Sequence, residues 1–88
     1  MAMVKKDLAG QAWTLLSSGS RVDLCPHVPG GVRVFVGTAE PAAGADVGMF
    51  VNRGEREIFD IATGESAWAR IANPVGPIAG AVTIVETA

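Results

Sequence analysis

At 88 residues the chain has room for one domain and none for a second, which excludes the large layered enzyme folds. Seven Lys and Arg stand against nine Asp and Glu, a net charge of -2, so no long-range field draws nucleic acid or an anionic membrane towards it. A hydrophobic content of 49% argues against global disorder, and eleven Val and five Ile against four Leu favour pleated strands, where β-branched side chains fit.

Residues 1–10 mix Lys5, Lys6, Asp7 and Gly10 without sustained periodicity and are expected to form a flexible N-terminal arm before a single domain over 11–88. Ala12–Leu16 reads as a first strand, and Ser17-Ser18-Gly19-Ser20 as a turn into the alternating Arg21–Cys25, so the two form an expected hairpin. Pro26 and Pro29, with Gly30 and Gly31, stop that ladder, because proline has no N–H to donate. Val32, Val34 and Val36 then alternate with Arg33 and Phe35 in the cleanest period-2 run of the chain. Residues 38–46, with Pro41, Gly44 and four alanines, bring no large apolar side chain and read as an exposed connection.

Val47–Val51 resumes as a short strand and Asn52-Arg53-Gly54 turns the chain. Between Glu55 and Ala62, Phe59 and Ile61 are expected to face inward, opposite Arg56, Ile58 and Asp60. Thr63-Gly64-Glu65 turns again into Ser66–Ala72, with Ala67, Ala69 and Ile71 on one face and Trp68 and Arg70 on the other. Asn73-Pro74-Val75-Gly76-Pro77 breaks the ladder. Ile78–Glu86 is apolar on both faces, as suits a central strand or one covered by a partner. Six to seven short strands at spacings of about ten residues define the expected fold: all-β, a single small antiparallel β-sandwich or barrel.

Candidates for chemistry are few. Cys25-Pro26-His27 puts a thiol near an imidazole, but nucleophilic sites also need an orienting group, and two ligands leave a metal shell mostly empty. Asp46, Glu55, Glu57, Asp60 and Glu65 fall at turns or alternating positions, where a solvated face is the ordinary explanation. The glycines do not follow a strand-to-helix phosphate signature, and the scattered Arg33, Arg53, Arg56 and Arg70 make no nucleic-acid platform. No catalytic residue, cofactor or metal is therefore expected, and no enzyme activity. Trp13 and Trp68 have three readings: anchors of a small core, hot spots of an interface, or stacking surfaces for a sugar ring. The lone cysteine forms no internal disulfide, so a small core without metal is expected to gain stability from oligomerisation. No apolar run is long enough to span a bilayer and no secretory leader is evident, so a reducing, cytoplasm-like setting is expected.

The Val32-Arg33-Val34-Phe35-Val36 strand, the Ala39-Glu40-Pro41 loop, the Thr63-Gly64-Glu65-Ser66-Ala67-Trp68-Ala69-Arg70 element and the terminal Ala81-Val82-Thr83-Ile84-Val85 strand carry a resemblance. From Gly31 to Ala88, about two thirds of the chain, the sequence resembles the small virion-associated β-sandwich proteins of tailed bacteriophages and prophages. The resemblance implies a non-enzymatic head, tail or fibre component located in the virion, and in the host cytoplasm during assembly. Its partners would be further copies of itself and other virion proteins. The expected contact surface is the Trp68 and Arg70 face together with Val82 and Ile84 of the last strand. The alternative is a small binding module for a glycan or a peptide, using the loops at 38–46 and 73–77.

Overall fold

A computed structural model of the chain describes residues 3–10, 12–43, 45–72 and 79–87. Among them are eight strands and no helix: β1 (Met3–Ala9), β2 (Thr14–Ser17), β3 (Arg21–Pro26), β4 (Val32–Gly37), β5 (Met49–Val51), β6 (Glu57–Asp60), β7 (Ser66–Ile71) and β8 (Ala79–Thr87). They make two four-stranded antiparallel sheets, in the orders β1-β8-β3-β6 and β2-β7-β4-β5. The fold is an all-β sandwich, as the spacing of short alternating runs predicts, with eight strands where six or seven were expected. The expected break at 73–77 and the expected first residue of the last strand, Ile78, lie outside the described residues.

The alternation works strand by strand. Val32, Val34 and Val36 of β4 lie in register with Ile71, Ala69 and Ala67 of β7, and this set turns inward. From the other sheet come Val22 and Leu24 of β3, Val82 and Ile84 of β8, and Leu8 of β1, all buried in the same cluster. Phe59 packs against that cluster and Ile61 belongs to it, as expected. Small residues on β7 leave room for branched ones opposite, so the two inner faces interdigitate. Val28, from the β3–β4 connection, plugs one end of the core over Gly80, where an added Cβ would meet the Val28 side chain at 2.5 Å.

Two expectations are corrected. Residues 3–9, expected within a flexible arm, form β1 and pair with β8 along their whole length, Met3 opposite Val85 to Ala9 opposite Ala79. The run Lys5-Lys6-Asp7 hides the alternation because β1 is an edge strand, where charged side chains blunt further pairing. The expected β2–β3 hairpin does not form: β2 pairs with β7 in one sheet and β3 with β8 and β6 in the other. The serine-rich turn carries the chain across the sandwich instead, with the Ser17 hydroxyl donating to Glu86 at 2.6 Å. Residues 38–43 and 45–46 form an irregular, largely exposed connection, as expected, and it makes contacts described next.

Candidate functional site

The two outer faces of the sandwich differ in kind. On the β2-β7-β4-β5 sheet, Trp68 and Arg70 of β7 stand beside Phe35 and Arg33 of β4, and Trp13 lies against them. The Trp13 and Phe35 rings meet edge-on at 6.3 Å, and Phe35 lies 6.4 Å from Trp68. Over Trp13 and Arg70 the connection after β4, residues 38–43 and 45–46, folds back as a strap. The Trp13 Nε1–H donates to the Ala42 carbonyl at 3.0 Å, and Arg70 Nε–H donates to the Ala45 carbonyl at 3.1 Å. Asp46 pairs with Arg33 at 2.8 Å and reaches Arg70 at 3.8 Å, while the Arg70 guanidinium lies 5.6 Å from the centre of the Trp13 ring. Gly48 ends the strap with φ +87, packed against the Val34 carbonyl oxygen, a position with no room for a side chain. The strap covers the Trp13 and Arg70 part of this face, while Leu15, opposite Trp68, and Phe50, opposite Arg33, are 47% and 45% exposed.

The four residues expected at a contact surface are therefore inside the molecule. Trp68 is 8% exposed, beside Phe35, and Arg70 4%, under the strap, and Val82 and Ile84 are buried in the core between the sheets. The apolarity of both faces of the last strand has its explanation in the central position of β8, between β1 and β3.

The outer face of the β1-β8-β3-β6 sheet is open. The strand registers line up Met3, Val85, Asp23 and Ile58 in one row across all four strands. Met3 is 74% and Ile58 54% exposed. On one side of that row stand Lys5, Thr83 and Cys25, with Arg56 just before β6; on the other stand Thr87, Arg21 and Asp60. A shallow groove of about 310 Å³ runs between Met3, Val85, Thr83, Cys25, Asp23 and Arg56. The charges are paired across strands: Arg56 Nε–H donates to both Asp23 carboxylate oxygens, at 2.9 and 2.7 Å, and Arg21 holds Asp60 at 3.1 Å. The hydrogen bond from Arg56 holds the Asp23 carboxyl below its ordinary range, against the opposing effect of burial and with Coulombic attraction to the same guanidinium adding to it.

Cys25 and His27 also reach this face. The imidazole shares a hydrogen bond of 2.7 Å between its Nε2 and Thr83 Oγ1, while the Cys25 thiol contacts the Pro26 carbonyl at 4.0 Å. Among the described residues, no group of three or more His, Cys, Asp and Glu side chains is disposed to hold a metal ion. The Asp23–Arg56 pair was not legible in the sequence, since its members are 33 residues apart and meet only because β6 pairs with β3. No family model, curated protein or solved structure matches the chain.

Proposed function

We propose that the protein is a non-enzymatic structural subunit that works by protein–protein contact through the outer face of the β1-β8-β3-β6 sheet. One observation carries this reading: Met3 and Ile58, 74% and 54% exposed, stand on a row that crosses all four strands of one sheet, whereas on the other sheet the strap lies over Trp13 and Arg70 and leaves the less exposed Leu15 and Phe50 apart from each other. Exposed apolar side chains on a paired, rigid surface are what a contact uses, with the surrounding ion pairs as its polar rim. A sugar-stacking role would need an indole at the surface, and both Trp13 and Trp68 are buried, which favours the contact reading over a glycan site.

The resemblance to small virion proteins supports a setting for that contact, a tailed-phage or prophage particle assembled in the host cytoplasm. The test is quantitative mass spectrometry of gradient-purified particles released on induction of a lysogen that encodes the chain. The chain should migrate with the particles at a fixed ratio to their major protein, and Ile58→Asp, with an unchanged circular dichroism spectrum, should remain in the supernatant. A chain expressed at its normal level and recovered only free of particles would overturn the virion assignment.

A further inference from the structure

We infer that the open face packs against a second copy of the chain, sheet to sheet, about a two-fold axis running along the row Met3–Val85–Asp23–Ile58. This names the partner of the face assigned above and rests on that assignment.

The pattern of the face selects the axis. Rotation about the row places each of its residues opposite its own copy, so Met3, Val85 and Ile58 meet apolar partners, while the two Asp23 carboxylates, 17% exposed, face each other with their charge held by Arg56 of the same sheet. It also exchanges the two flanking rows, laying Thr83 opposite Thr87, Cys25 opposite Arg21, and Arg56 opposite Asp60. The last exchange happens twice by symmetry and gives two interchain ion pairs. Arg56 and Asp60 have the exposure for it, 72% and 83% at the side chain, although each already has a neighbour within its own sheet. An axis parallel to the strands would set β1 against β6 and bring Lys5 over Arg56, two cations 69% and 72% exposed at the side chain, a worse like-charge contact than the shielded Asp23 pair.

Charge and size agree with a second copy as the occupant. On this face Lys5, Arg21 and Arg56 balance Asp7, Asp23 and Asp60, so two copies approach without net repulsion. A two-fold contact needs a self-complementary patch of this kind, with the same residues serving on both sides. The molecule measures 34 × 25 × 17 Å, and a broad face of that outline is of the order of the ~800 Å² that each partner contributes to a standard interface. Two sheets meeting this way would pack about 10 Å apart, with strands close to aligned.

The test is sedimentation velocity from about 1 to about 100 µM, where a dimer of this kind separates from monomer by mass action. The wild type should dimerise, and Ile58→Asp, folded by circular dichroism, should be monomeric. Asp60→Arg and Arg56→Asp should each weaken the dimer at least about tenfold, since each sets like charges face to face. Mixing these two variants should restore a dimer, because each then supplies the charge that the other lacks. A wild type that stays monomeric throughout would overturn the second copy as partner. If Ile58→Asp were then still lost from particles, the face would stand as a contact for another protein. A dimer that survives Ile58→Asp would place the contact elsewhere, for instance at the exposed Met49 and Phe50 of β5, and would equally overturn the proposal, as would a failure of the mixture to associate.

Discussion

Arg70 is buried to 4% exposure, and a guanidinium at that depth is tolerable only when its donors are met. The Ala45 and Ile71 carbonyls accept from it at 3.1 and 2.8 Å, with Asp46 and the Trp13 ring completing the surroundings. Replacing it with Ala leaves those acceptors without their charged donor and strips the packing that its stem supplies. Arg70→Ala should therefore lower stability by about 2–3 kcal/mol, and Arg70→Lys should recover only part of the loss, because an ammonium lacks the planar fork. Trp68→Ala should cost about 3–5 kcal/mol, since its ring is buried beside Phe35. Chemical denaturation of the three variants measures both effects. A fold of unchanged stability with lost association would instead make Trp68 an interface residue.

At the scale of elements, the strap is held differently from the strands. Its side chains are small, and it is tied to the sheet by the Ala42 and Ala45 carbonyls and by the exposed Asp46 carboxylate. A segment secured by a few polar contacts and little apolar burial opens locally at lower free energy than the sheets beneath it. Asp46→Ala should loosen the strap at a global cost of about 1 kcal/mol or less, the usual value of an exposed ion pair. The readout is Trp13 and Trp68 fluorescence: greater acrylamide quenching and a red-shifted emission, with the far-ultraviolet spectrum of the sheets retained. Unchanged quenching would mean that the strap opens only when the whole domain unfolds.

The whole molecule is built almost entirely from pairings that are remote in sequence. Consecutive strands lie in opposite sheets at six of seven steps, β4 to β5 being the exception, and β1 pairs with β8 across nearly the full chain. Loop closure must be paid in entropy before such contacts form, so topology of this kind slows folding. Refolding followed by stopped-flow tryptophan fluorescence should fall in the range of roughly milliseconds to seconds, as for other sandwiches. A microsecond phase carrying the full amplitude would contradict that expectation. Leu8 of β1 sits in the common core, so the first strand belongs to the same cooperative unit as the last.

What the sequence by itself determined is local. Period-2 alternation marked β4, the inward Ala67, Ala69 and Ile71 of β7, and the inward Phe59 and Ile61; apolarity on both faces marked β8 as either central or covered by a partner. Each of these follows from side-chain direction along one strand, which needs no knowledge of neighbours. Only the tertiary structure decided which strands pair, and with that decision came everything about the surface. It made Met3–Ala9 an edge strand, sent the serine turn across the sandwich, and drew an alanine-rich segment over Trp13 and Arg70. It also set Arg56 on Asp23 and lined up Met3, Val85 and Ile58. The physical reason is that backbone hydrogen bonds are the same for every sequence, so pairing is chosen by how all the apolar faces can be buried at once, and no single segment carries that information.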